Sequence, residues 1–520
     1  MRPIRERLLR KGDYVHGSFF KPEQVDGYIN AVNPGDRTDV LGRFPFSTRS
    51  VDDAVEFAAI GAAKWRRVGL NDRAAALRRF REQLHHAQET LARLVTRENG
   101  KPLWEARQEV QSALRTVDIY LDDGVGLLAP RIVEEISART DYVPRGVVGV
   151  VSPYNLPVLL GIGMTAAAVL AGNAVVIKPS KFTPGVGQLI AELWDRAKLP
   201  RGVFNLVHGS GSVIGQRLVG HAGLDALLFA GSFESARDVR RATADRPELP
   251  ALYQSGGKGI AIVLDDAEID RAVYEVLVGA FMSSGQRHNS TGRVFVTEAI
   301  YERFAAELVR RAQRLRIGYG FDNDVFMGPL ISENFRTRFR KYCRAVASKG
   351  HTTLLEGDTQ EVSGYRGNYV RPGIYKVDWQ NGSPFLNDEP PGPIALLYVV
   401  KNWEEAASLH NQCHYRMTAS IFTRPQSPAL PELRDALRTG SVNVNRGTIG
   451  QSLRLPATGL GRSGNGVAGG IELLRVLTVP RASLTESRPF DAQNLVPGVA
   501  WSDEDDDEAD LGGALELAVE

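Results

Sequence analysis

The chain has 520 residues, 43% of them hydrophobic and 24% charged, which fits a soluble protein of two or three domains with a large core. Its 63 basic and 61 acidic residues leave a formal net charge of +2, so the charge gives no argument for a nucleic-acid or membrane partner. The two cysteines, Cys343 and Cys413, lie far apart and set no disulfide or metal-ligand spacing, which makes a reducing cytoplasm the expected location.

The N-terminus, MRPIRERLLRKGDYVHG, is basic without an apolar core, so no signal peptide is expected. Residues 51–96 predict helix: acids cluster in the first turn, and Leu77, Phe80, Leu84 and Leu91 recur at helical spacing. Residues 131–142 alternate apolar and polar types and predict a protruding hairpin. Strands are then predicted at 146–151, 174–177, 203–207 and 226–229. Helices are expected between them at 160–171, 184–198 and from about 212. This alternation is that of a doubly wound parallel sheet. The uncharged run 156–177 is long enough to suggest a membrane span, but Gly172-Asn173 breaks it into a buried helix and a buried strand.

The same rhythm resumes over 260–445, with strands at 261–264 and 293–296, and predicts a second α/β domain. Residues 473–479 read as an apolar strand. Residues 486–520 form a tail whose acidic run at 503–508 predicts disorder from about residue 502; the weakly apolar stretch 511–519 reads as a frayed end. His410, Cys413 and His414 are placed on one helix face, but with no further ligand they are read as structural, and no metal is expected.

Several motifs in order carry a family resemblance. They are GKPLWEA (100–106), SPYNLP (152–157), AGNAVVIKPSKFTP (171–184), FAGS (229–232), SGGKG (255–259), GQRHNSTGR (285–293), MGPLIS (327–332) and DEPPGPI (388–394). From about residue 28 to 500 the sequence resembles the NAD(P)-dependent aldehyde dehydrogenases. The GQR lead-in, MGPLIS and the RASL ending (481–484) are most similar to the succinylglutamate-semialdehyde dehydrogenases. The resemblance implies a Rossmann-type cofactor domain (1–124 with 146–254) and an α/β catalytic-type domain (255–445). It further implies a small β oligomerisation arm (125–145 with 446–485) and assembly as a homodimer or tetramer.

In that family a Cys thiolate attacks the aldehyde, hydride passes to nicotinamide, and a Glu activates water to release the acid. Here the nucleophile position is His288 and the general-base position is Gln254, while Asn155 matches the oxyanion amide. A carboxamide keeps the shape of a carboxylate but accepts no proton near neutral pH. Two changes at the two bond- and proton-making positions imply lost activity, hence a pseudoenzyme holding a small aldehyde or no substrate. Two alternatives stand beside it. One is an active semialdehyde dehydrogenase using His288, Ser290 or Thr291 as nucleophile. The other is a structural subunit paired with an active relative.

The resemblance also implies a binding site for NAD or NADP. Lys178 matches the ribose-binding lysine, Gly211, Gly215 and Ser232 match residues near the pyrophosphate, and Glu389 matches the nicotinamide-ribose carboxylate. Tyr154, Ser180 and Gly231 belong to the same motifs. Lys181 stands where a Glu usually binds the adenosine ribose; it reads either as a selector of a 2′-phosphate or as a drifted surface residue. Ala236 replaces a glycine and Pro391 a phenylalanine near nicotinamide.

Overall fold

The structure, a computed structural model, describes residues 10–378, 384–499 and 501. The acidic run 503–508 and the stretch 511–519 lie outside the described residues. By compactness the chain divides into two units, Met1–Ala129 with Tyr142–Pro480, and Pro130–Asp141 with Arg481–Glu520.

The long helical signal of the first hundred residues resolves into three helices, Thr48–Trp65, Leu70–His86 and Gln88–Asn99. Gly100, at φ 85°, takes the left-handed conformation that ends the third. Leu77, Phe80, Leu84 and Leu91 are fully enclosed in one core with Ile162, Ala166 and Leu170 of the helix Pro157–Leu170. That helix and the strand Ala174–Lys178 make up the uncharged run 156–177. Among the described residues no helix is long and apolar enough to cross a membrane.

Two seven-stranded sheets organise the larger unit. The first runs in the order Ala251–Ser255, Ala226–Gly231, Val147–Val151, Ala174–Lys178, Phe204–Leu206, Asp13–Val15, Ser18–Phe20. Its first five strands are parallel, and the last two form an N-terminal antiparallel edge. Every residue of Val147–Val151 and Ala174–Lys178 is buried, as expected of central strands covered on both faces. The second sheet is parallel through Gly373–Lys376, Ile394–Val400, Thr291–Thr297, Gly259–Val263, Thr418–Phe422 and Ser441–Val444. Thr352–Leu355 joins it antiparallel at one edge.

The helix expected from about 212 is present as a π-helical turn, Gly211–Gly215, continued by an α-helical turn, Gln216–Val219. Two local expectations are corrected. Residues 473–479 are not one strand: Leu473–Val476 is helical, and the strand is Thr478–Leu484. Leu473, Leu474 and Leu477 all enter the core around Ile162, a spacing that one turn of helix delivers to one face and a strand does not. The helix Trp403–Gln412 stops before Cys413 and His414, so the three residues at 410–414 share no helix face. His410 and Cys413 are buried and His414 is exposed.

The expected hairpin is present as Arg131–Val133 with Ala138–Pro144, in a three-stranded sheet with Thr478–Leu484. Ile132, Ile136 and Leu484 are 63%, 59% and 73% exposed.

Candidate active site

Four parallel strands of the first sheet end at one cavity of about 800 Å³: Val151, Lys178, Gly231 and Gln254 all line it. Ligands of open α/β sheets bind at the carboxyl ends of strands, because the turns there leave a crevice facing helix N-termini. From the second sheet come Gly285, Gln286, Arg287 and His288, which precede the strand Thr291–Thr297, and the loop residues Glu389, Pro390 and Pro391. Of the residues singled out from sequence, Tyr154, Asn155, Lys178, Ser180, Lys181, Gly211, Gly231, Ser232, Gln254, His288 and Glu389 share this cavity. Gly215 lies off the surface; a Cβ there would touch Lys178 Cε at 3.5 Å.

The loop ahead of His288 is tightly wound. Ser283, Ser284 and Gly285 all have positive φ, at 56°, 54° and 63°. Two consecutive left-handed serines persist only where surroundings hold them. Here Glu105, fully buried, accepts from Ser283 N at 3.2 Å and from the Ser283 hydroxyl, and pairs with Arg287 at 3.0 Å. Arg287 Nε donates back to Ser283 Oγ at 2.8 Å. Lys101, at 4.0 Å from Glu105, binds Glu109 at 2.5 Å, and Glu109 accepts from Val158 N and Leu159 N at the start of the helix Pro157–Leu170. A single buried network thus fixes both the loop before His288 and the helix that follows Asn155. Sequence reasoning quoted GKPLWEA without seeing this role. Lys101, Glu105 and Glu109 recur every fourth residue in the sequence; Lys101 stands just ahead of the helix Leu103–Ile119, which carries the two glutamates.

His288 is half-buried, and its imidazole is pushed down to about 4 by burial and by the neighbouring Arg287 charge. It is therefore neutral at neutral pH. Gln254 is buried; its Nε2 faces Met417 Sδ at 3.9 Å, and its Oε1 has no partner among the described residues. Asn155 Nδ2 donates to the Gln286 carbonyl at 3.0 Å, and its Oδ1 has no partner among the described residues. Burial pushes the Lys258 ammonium down and the Glu389 carboxyl up, and Lys258 Nζ donates to the Gly392 carbonyl. Glu389 lies close against Gly256: a Cβ there would be 2.0 Å from Oε1, so the carboxylate would have to move to admit a side chain.

Lys178 is buried with only carbonyl partners, Pro179 O at 2.9 Å and Gly209 O at 3.4 Å, and burial with the Lys181 charge pushes it down to about 8. Lys181 lies over the Phe182 ring at 5.2 Å and makes no ion pair among the described residues. At Gly211 a Cβ would meet nothing within 4 Å, so the backbone is open to close approach. Ser232 Oγ caps the helix Phe233–Ala242 by accepting from Ser235 N at 3.3 Å. Two cations without a carboxylate, an open glycine and a capped helix start fit the ribose and phosphate groups of a dinucleotide. Arg338, Lys341 and Arg462, which sequence reasoning passed over, also line the cavity. They come from separate segments that only the fold brings together.

A doubly wound sheet and a second α/β sheet that contribute to one cavity, lined by Lys178, Lys181 and the His288 loop, define a dehydrogenase-type architecture. Residues 19–482 match the profile of the "Aldehyde dehydrogenase family", and the chain belongs to that family. It is 34% identical over 458 residues to the alpha-ketoglutaric semialdehyde dehydrogenase of Bacillus subtilis strain 168, covering 87% of this chain and 93% of that one. It is 32% identical over 477 residues to the N-succinylglutamate 5-semialdehyde dehydrogenase of Paraburkholderia xenovorans strain LB400, covering 90% and 96%. Among solved structures, the lactaldehyde dehydrogenase of Escherichia coli superposes with a TM-score of 0.86 at 27% identity, covering 92% of this chain and 99% of that one. Members of the family use NAD or NADP.

Proposed function

We propose that this chain is an aldehyde dehydrogenase-type protein that binds NAD(P) and a carboxylate-bearing semialdehyde, or a close analogue, with oxidation lost or reduced to a residue. One observation carries the proposal: the two side chains at the nucleophile and general-base positions, His288 and Gln254, line the same cavity and are an uncharged imidazole and a carboxamide. Bound dinucleotide would supply the hydride acceptor. The chain's own residues would have to form and release the acyl group. An imidazole pushed down to about 4 is a weak base and hence a weak nucleophile, and Gln254 takes no proton from water. Lys178, Lys181, Ser232 and Gly211 are the residues proposed to hold the dinucleotide. Arg287, Arg338, Lys341 and Arg462 supply positive charge for a carboxylate, in keeping with the relatives named for α-ketoglutaric and N-succinylglutamate semialdehydes.

A second reading has one observation in its favour: the neutral His288 ring keeps a free lone pair, so attack through imidazole remains open. NAD(P)H formation by the unaltered protein over a panel of aldehydes separates the two. Turnover that disappears in His288→Ala supports the second reading, and its absence supports the first. For assembly we propose a homodimer or tetramer, or pairing with an active relative, on the strength of exposed Ile132, Ile136 and Leu484 in the smaller unit.

A further inference from the structure

The cations named above as partners for a carboxylate are not equivalent. Arg287 lies 3.0 Å from Glu105, so its charge is already matched. Arg338 and Lys341 are exposed on the helix Glu333–Ser348, where water and salt screen whatever they attract. Arg462 is half-buried and makes no ion pair among the described residues. Its guanidinium lies 5.1 Å from the centre of the Phe233 ring and 6.0 Å from that of Tyr415, and the two rings meet edge to face at 6.1 Å. Rings hold a guanidinium in place without neutralising it.

Arg462 also belongs to the segment that runs beside Gln254. Gln254 bridges Gly464, Ser255 N donates to the Ser463 carbonyl at 3.0 Å, and Ser463 Oγ donates to the Gly256 carbonyl at 3.0 Å. Arg462 N donates to the His414 carbonyl at 2.8 Å, and its own carbonyl accepts from Ser255 Oγ. With both backbone groups taken, the side chain is what Arg462 offers to the cavity it lines. Tyr415 and Met417 pack on the same stretch: a Cβ at Gly257 would meet the Tyr415 ring at 2.1 Å, and Met417 Sδ is 3.9 Å from Gln254 Nε2. The acids beside Tyr415 are Glu389, whose carboxyl burial pushes up, and the exposed Glu234.

A glutamate at 254, which the family's chemistry calls for, would add a negative charge beside Arg462 and repel a bound acid. A carboxamide of the same shape removes that charge. We infer, resting on the binding function proposed above, that Arg462 is the residue that selects the carboxylate in this cavity, and that it holds the carboxylate beside Gln254. The ligand class is then the free carboxylic acid, the species a working dehydrogenase releases, bound in preference to a neutral molecule of the same shape.

The test is a ligand-observed NMR titration of the full-length protein, without dinucleotide, with butyrate and with butyramide, which differ in one end group. Butyrate is expected to bind roughly tenfold or more tightly, as for a hydrogen-bonded group whose charge is matched. Arg462→Met should erase the preference, and Arg462→Lys, which keeps the charge, should retain part of it. Gln254→Glu should weaken butyrate several-fold and leave butyramide nearly unchanged. Equal affinity for the two ligands, a preference that survives Arg462→Met, equal losses in the Met and Lys variants, or no binding of either ligand overturns the inference. NAD(P)H formation over the aldehyde panel reports on the binding-only function separately. Turnover there would overturn that reading and leave the butyrate-over-butyramide preference to stand or fall by itself.

Discussion

Asn155 Nδ2 donates to the Gln286 carbonyl at 3.0 Å, tying the turn after the strand Val147–Val151 to the loop that carries His288. This bond uses one of the two Nδ2 hydrogens and holds the Asn155 amide at the wall of the cavity.

Aldehyde oxidation by the unaltered protein is expected to fall far below an ordinary enzyme rate of about one turnover per second. Gln254→Glu alone should restore nothing, since water activation needs an acyl group already formed. His288→Cys alone should give at most a burst, and the double variant repeated turnover. The readout is NAD(P)H formation. A rate near one per second in the unaltered protein, lost in His288→Ala, would reverse the conclusion.

Dinucleotide binding should respond to charge at Lys181 and Lys178. Lys181→Glu is expected to weaken NADP more than NAD by several-fold, through repulsion of the 2′-phosphate. Lys178 is pushed down to about 8, so it loses its proton as pH rises through that value, and affinity for either dinucleotide should decline there. Titrations at pH 7 and pH 9 check the sign; unchanged affinity would remove Lys178 from the site.

The Glu105–Ser283–Arg287 cluster is expected to be costly to break. Glu105 is fully buried and the Arg287 side chain is 13% exposed, so Glu105→Ala leaves a nearly buried guanidinium unpaired, at a cost of about 3 kcal/mol. Pairing Glu105→Leu with Arg287→Met should recover much of the loss. Urea unfolding of the three proteins measures it, and a Glu105→Ala effect under about 1 kcal/mol would mean the pair is solvent-compensated.

Two buried carboxyls should give stability a downward slope with pH. Burial pushes Asp13 up to about 7 from 3.8 and Glu98 up to about 8 from 4.5. Between those values the folded chain holds protons that the unfolded chain releases, so stability is greatest at acid pH and falls as pH rises to about 8. Asp13→Asn and Glu98→Gln should each flatten the slope. Melting temperatures across this range give the readout, and slopes identical to the unaltered protein would show that neither carboxyl titrates there.

The proposed homodimer or tetramer should appear by light scattering at micromolar concentration. Leu484→Arg, at a side chain 73% exposed, is expected to shift the population toward monomer. A monomer throughout would end the proposal.

By itself, the sequence determined the layout. Uncharged runs such as 174–177 read as buried strands, and glycine breaks such as Gly172-Asn173 separate helix from strand. The substituted residues His288 and Gln254 were legible because ordered motifs fixed their positions along the chain. Only the tertiary structure decided how they are served. Glu105 and Ser283 are 178 residues apart and meet only because the helix Leu103–Ile119 packs beside the His288 loop. The left-handed serines and the neutral imidazole depend on burial and on partners distant in the chain. Periodicity fixes which face of an element is apolar, whereas the partner of a buried polar group is set by whichever segment folds against it. The same reason moved 473–479 from strand to helical turn: its leucines fit a pocket that exists only once the helix Pro157–Leu170 is in place.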